Sequence, residues 1–210
     1  MLDIAQLLDA LDRFPVTLVG HSLGGSVGIH YTAVYPERVK KLVAIEGLGP
    51  PPAILAQLKD KPVWERTHEW IQQVRVFSSR LPRRYPSIEA AARRMLEANS
   101  FLTPAQAHHL TVHGVARNED GTYTWKFDNY VRIFYPQRYD TAEIRELWGR
   151  ISCPTLLMRG EESWASDPSK DGRAEAFRNA RLVNVPKAGH WVHHDRLDEF
   201  IREVRAFLDE

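Results

Sequence analysis

Residues 16–34, VTLVGHSLGGSVGIHYTAV, constrain the chain more than any other stretch. Val16-Thr17-Leu18-Val19 is a short apolar, β-branched run of the kind a buried parallel strand needs. Beyond Ser22, apolar residues recur at helical spacing (Leu23, Val27, Tyr31, Val34) until Pro36 stops the pattern. Strand, tight turn, helix is the reading. The turn, Gly20-His21-Ser22-Leu23-Gly24, fits G-x-S-x-G, in which small neighbours let a sharply bent backbone lift the serine hydroxyl clear of a sheet. The hydroxyl then stands at a helix N-terminus, where negative charge is favoured, with the Leu23 N–H facing an acyl oxyanion. A phosphate-binding loop or a plain glycine-rich turn is the competing reading.

The next apolar run, KLVAIEG, ends at Gly47 and completes a strand–helix–strand unit, which implies a parallel sheet. GLGPPPA then reads as a stiff, proline-rich linker. From 49 to 149 the pattern is mainly short helices, at 63–77, 88–98, 104–113 and 141–150. Asp120-Gly121 marks a hairpin between alternating residues. Most aromatic residues of the chain fall in this stretch, as internal packing or as the lining of an acyl pocket. Strand and helix alternation returns with PTLLMRG, a helix near 172–179, the strand RLVNVP, the loop KAGHWVHHD and a last helix carrying Phe200, Val204 and Phe207. The first dozen residues form an amphipathic helix with Leu2, Leu7, Leu8 and Leu11 apolar.

Charge and cysteine content narrow the classes. The net charge is +1, so no overall field recruits nucleic acid or an anionic membrane, and RLPRRYPS reads as a solvated face. Cys153 is the single cysteine; it cannot form an internal disulfide and reads as a small buried hydrophobe, which suits a reducing, cytoplasmic setting. The acidic N-terminus is unlike a signal peptide, and no apolar stretch is of membrane-spanning length. His109 and His113 have i, i+4 spacing but no H-E-x-x-H glutamate, so no metal site is expected.

Taken together, the elbow, the helical excursion, the strand ending at Gly160 and AGHW before a final helix resemble the α/β-hydrolase superfamily. The resemblance covers 1–48 and 150–210 as the hydrolase core, with 49–149 in the place of its helical cap. It implies a partial α/β-hydrolase fold: a mostly parallel sheet of about four strands with a cap insertion. AIEGLGPPP and YPSIEAAARRMLEANSFLTPAQAHHL are similar to serine-hydrolase-like members near the haloalkane dehalogenase and epoxide hydrolase branch. Those enzymes use an aspartate nucleophile where this chain has Ser22, so neither activity is implied.

The resemblance assigns His190, directly after a glycine in AGHW, as general base, ahead of His193 and His194; an imidazole titrates near working pH. It leaves the acid open. The common position, three residues after Gly160, holds Ser163; Glu46 at the end of the second strand, Asp167 further along the loop, Glu162, or no acid remain. The implied activity is hydrolysis of carboxylic esters or thioesters through an acyl-serine, with a small ester-like substrate and no cofactor. A non-catalytic fragment or small-molecule-binding protein, and an acyltransferase on the same triad, are the alternatives.

The superfamily's strands before the elbow have no counterpart here, which leads to the expectation of the C-terminal two-thirds of a hydrolase. A missing second oxyanion donor would cost roughly 3 kcal/mol of transition-state stabilisation. An unpaired edge at 16–19 would favour self-association.

Overall fold

The computed structural model describes residues 1–128, 130, 133 and 140–210. Two compact units form, Met1–Lys59 with Tyr139–Glu210, and Asp60–Arg138. These bounds differ from the expected 49–149 insertion, because α3 (Pro52–Asp60) and α7 (Thr141–Gly149) fall almost wholly within the first unit. There Pro52 and Leu55 line one apolar hollow with Ile144 and Trp148.

The first unit is built on four parallel strands in the order β1 (Val16–His21), β2 (Val39–Ile45), β5 (Thr155–Gly160), β6 (Ala180–Val185). This is the expected parallel sheet. Side chains alternate across it as a two-residue period demands. Leu42 and Ala44 of β2 and Leu157 of β5 join one buried cluster with Leu8 of α1 (Leu2–Leu11), Ile29 and Tyr31 of α2 (Leu23–Val34), and Trp148 of α7. Val43, Ile45, Leu156, Met158 and Val185 face the other side. They pack against Val192 of α8 (Val192–Asp195) and Val204 and Phe207 of α9 (Leu197–Asp209). Covering both faces is what near-continuous apolar strands require.

Three local expectations are corrected. The proline run does not stay a linker: Pro52 opens α3, a position where a missing N–H costs nothing. The expected helix near 172–179 is only a single 3-10 turn at Ala174–Ala176. Gly172 adopts φ 75° and the buried Arg173 is tied to Asp171, Ser166 and the Gly49 carbonyl, so the chain is held in a loop. The face of α2 is also different, with Leu23 and Val34 exposed and Gly25, Gly28, Ile29, Tyr31, Thr32 and Ala33 buried. Small residues, not large apolar ones, let this helix lie close on the strands.

That closeness gives a test. A methyl group at Gly20 would lie 2.5 Å from the Gly24 carbonyl oxygen, whereas one at Gly24 would meet nothing within 4 Å. Gly20→Ala is expected to destabilise the fold by about 2 kcal/mol or more, as overpacking against backbone does. Gly24→Ala is expected to be neutral or stabilising by up to about 1 kcal/mol. Urea unfolding of the two variants beside the parent measures the difference.

The second unit comprises α4 (Val63–Ser78), α5 (Ile88–Ala98), α6 (Pro104–Gly114) and the hairpin β3 (Val115–Arg117)–β4 (Tyr123–Trp125). Its helices lie within a residue of the expected spans. Thr103 and Gln106 form a capping box at α6, and Ser87 caps α5. The hairpin turns where Asp120-Gly121 predicts it, with Gly121 at φ 82°. Tyr85, Ala91 and Val115 form its small core. Among the described residues no helix is long and apolar enough to cross a membrane.

Candidate active site

All four parallel strands of the first unit deliver a residue at their carboxyl ends, where open α/β sheets place their sites. Ser22 follows β1 directly and Glu46 follows β2 directly. Ser163 lies three residues past β5, and His190 five past β6.

Ser22 sits at φ 52°, a left-handed conformation that costs a non-glycine residue on the order of 1–3 kcal/mol. The surroundings hold it there. Its N–H donates to the Ile45 carbonyl at 2.8 Å, and its own carbonyl accepts from Ser26 N–H in the first turn of α2. Glu46, at φ 53°, is the second strained residue of the site, and its N–H donates to the Met158 carbonyl. Each turn throws its side chain off the end of the sheet.

The carboxylate of Glu46 is fully buried. Oε1 accepts from Gly160 N–H at 2.8 Å; Oε2 accepts from the Ser163 hydroxyl at 2.8 Å and from His190 Nδ1 at 3.2 Å. Because a carboxylate only accepts, the proton of neutral His190 is on Nδ1, and Nε2 is left as acceptor. Nε2 lies 3.0 Å from Ser22 Oγ. Hydroxyl, imidazole and carboxylate are thus in series.

The remaining loop contacts fix this row. A methyl at Gly160 would fall 2.2 Å from the Gly189 carbonyl oxygen, so only glycine lets the end of β5 pass the loop carrying His190. His21 Nε2–H donates to the His190 carbonyl at 2.8 Å, which ties the residue before Ser22 to the loop of His190. Burial lowers the pKa of His21, so it is neutral at pH 7 and cannot compete as a charged group. The N–H of Leu23, first in α2, has no intrahelical acceptor and points from the helix N-terminus.

The other expected residues lie elsewhere. Asp167 Oδ1 accepts from the N–H and hydroxyl of Ser169 and caps its own loop, and the structure does not bring it to His190. The Glu162 N–H donates to the Ala188 carbonyl. Ser163, read from sequence only as the absence of an acid, is instead a donor to the buried Glu46 carboxylate. A hydroxyl at the usual acid position beside a carboxylate one strand over was the signal for it.

His193 meets His21 edge-on at a ring distance of 4.7 Å and lies tilted against His194 at 4.2 Å. Its Nδ1 is buried without a hydrogen-bond partner among the described residues. Burial, then the neighbouring His194, His21 and His190, lower its pKa to about 4. The folded state therefore holds His193 neutral where the unfolded chain protonates it. Stability from this source is complete above about pH 6.5 and is lost as pH falls toward 4; His21 contributes with the same sign. Because the ring is only partly buried, solvent screening holds the loss to about 1 kcal/mol. Thermal melts of the parent should fall in Tm across this window, and His193→Asn should flatten the slope.

Among the described residues no group of three or more histidine, cysteine or acidic side chains is arranged to hold a metal ion. Cys153 is buried, and burial pushes its thiol above the usual range, so it is no nucleophile.

Comparison with known proteins gives a consistent frame. The chain is 26% identical over 216 residues to the esterase YbfF of Escherichia coli K12, covering 99% of this chain and 73% of the relative. It is 28% identical to the sn-1-specific diacylglycerol lipase ABHD11 of Mus musculus, covering 98% of this chain and 63% of that protein. It spans about two thirds of the length of these curated relatives. Among solved structures, a hypothetical protein of Pseudomonas aeruginosa PAO1 superposes with a TM-score of 0.83 at 22% identity, over 100% of this chain and 73% of that one. The thioesterase domain of the curacin biosynthetic pathway gives 0.76 at 22% identity, over 99% and 71%. The model of the alpha/beta hydrolase fold matches residues 2–197, and with the sheet described above this places the chain in the alpha/beta hydrolase fold family.

Proposed function

We propose that this protein is a serine hydrolase of carboxylic esters or thioesters. The observation that carries the reading is the series Ser22 Oγ, His190 Nε2, His190 Nδ1, Glu46 Oε2, with successive contacts of 3.0 and 3.2 Å. The names of the related esterase and lipase agree with it.

In this reading Ser22 Oγ attacks the carbonyl carbon as its proton passes to His190 Nε2. The imidazolium that forms is held in place by the buried Glu46 carboxylate, which the Gly160 N–H and Ser163 hydroxyl orient from the other side. The developing oxyanion is drawn to the Leu23 N–H and the positive end of α2. His190 returns the proton to the leaving oxygen, giving an acyl-Ser22. Water gives a proton to the same imidazole as it attacks the acyl carbon, and the imidazolium returns that proton to Ser22 Oγ as the acyl C–O bond breaks and the acid leaves. The chemistry asks for no metal or organic cofactor. Asp60–Arg138, inserted between β2 and β5, is read as the helical cap, and the substrate as a small ester-like molecule.

Pre-steady-state hydrolysis of p-nitrophenyl acetate tests the mechanism. A burst of nitrophenol equal to the enzyme concentration, followed by a slower steady rate, is expected of an acyl-enzyme. Turnover without any acyl-enzyme, trapped by acid quench and seen by mass, would reject it.

A further inference from the structure

An indole stands over the base. The Trp164 ring centroid is 4.8 Å from that of His190, with the planes tilted by 35°, yet Trp164 is 81% exposed. A lone exposed ring is ordinary on a protein surface; what sets this one apart is that it lies against the imidazole that the hydrolase reading makes the base.

The backbone on either side of it is tied down. On one side, Ser163 donates its hydroxyl to Glu46 and its N–H to the Gly160 carbonyl. On the other, Ala165 N–H donates to the Ser163 hydroxyl oxygen, and Arg159 donates through Nε and Nη2 to the Ala165 carbonyl at 3.1 and 3.0 Å. The backbone carrying Trp164 is therefore fixed on one side by Ser163, which also donates to Glu46, and on the other by Arg159.

We propose that Trp164 is the specificity-determining residue for the leaving-group half of the substrate, favouring esters of bulky apolar or aromatic alcohols. The proposal rests on the serine-hydrolase reading. In that chemistry the leaving oxygen must come within about 3 Å of His190 Nε2 to receive its proton. The oxyanion is drawn instead toward the Leu23 N–H at the start of α2. The two substituents of the tetrahedral carbon thus turn to different elements, and Trp164 stands on the side of the imidazole. Atoms beyond the leaving oxygen meet a preorganised aromatic face, whose burial favours apolar alcohols in the transition state.

Two series of esters separate leaving-group from acyl effects. One keeps an acetyl group and varies the alcohol through ethanol, butanol, benzyl alcohol and 2-naphthylmethanol; the other keeps ethanol and lengthens the acyl chain from acetyl to octanoyl. For the parent, kcat/KM should rise along the alcohol series. Trp164→Ala should lower the ratio of kcat/KM for the benzyl and naphthylmethyl esters to that for ethyl acetate about tenfold, while the ratios within the acyl series hold to within about twofold. Trp164→Phe should retain most of the preference. A uniform fall across both series would make the indole a mere support of His190 and overturn the proposal, as would a selective loss in the acyl series or no change. Fluorophosphonate labelling of Ser22 in the parent and in Trp164→Ala distinguishes the failures. Normal labelling with unaltered selectivity rejects the role of Trp164 alone; a parent that neither labels nor turns over esters rejects the hydrolase reading and the proposal with it.

Discussion

Ser22→Ala should lower ester turnover by ~10⁴-fold or more while the cooperative unfolding transition stays in place. The substitution removes one oxygen, and alanine meets the same backbone cost at φ 52° as serine does. The N–H of residue 22 still donates to the Ile45 carbonyl, and the carbonyl still receives Ser26 N–H, because both bonds belong to the backbone. What disappears is the 3.0 Å contact to His190 and the atom that would carry the acyl group. Esterase rates of the variant, read beside a urea melt, check both halves of the expectation. Residual turnover near the parental rate would assign the chemistry to another residue.

The second large effect concerns the acid. Glu46→Gln should cost ~10³- to 10⁴-fold in kcat, and Asp167→Asn less than about threefold. Glutamine at 46 keeps the shape but removes the charge that faces the imidazolium. Its amide also places N–H donors in a pocket where Gly160 N–H, the Ser163 hydroxyl and His190 Nδ1 already donate. An N–H facing His190 Nδ1 draws the imidazole proton to Nε2, the tautomer that cannot take the proton of Ser22. Asp167 is engaged with Ser169, so neutralising it leaves the row untouched. The paired kinetics decide the matter: a larger loss in Asp167→Asn than in Glu46→Gln would reverse the assignment.

The parts legible in the sequence are those whose physics is local. A β-branched run, two glycines and a helical period within nineteen residues suffice for β1, the turn and α2. Glu46 could be ranked but not separated from Asp167, because its contact to His190 spans 144 positions and depends on which strands pair. The pairing of β2 with β5, Ile45 opposite Met158, is what brings Glu46 to Gly160 and Ser163. The role of Ser163 was hard to read for the same reason: its position was a signal, but a hydroxyl in a loop carries no charge and its acceptor lies 117 positions away. The buried face of α2 was misread because apolar periodicity weighs large side chains. The packing there uses Gly25 and Gly28, to which such a pattern is blind. α3 was missed because three prolines look like a linker until one is placed at the first helical position.

Whether Ser22 is an activated nucleophile can be measured directly. The intact protein is treated with a fluorophosphonate probe and its mass followed over time, with the modified peptide then sequenced. One probe per chain, attached at Ser22, with the rate collapsing in His190→Ala and Glu46→Gln, is the result predicted by the row of contacts at 3.0 and 3.2 Å. An unmodified Ser22 in folded protein, or equal labelling rates in the parent and both variants, would contradict it.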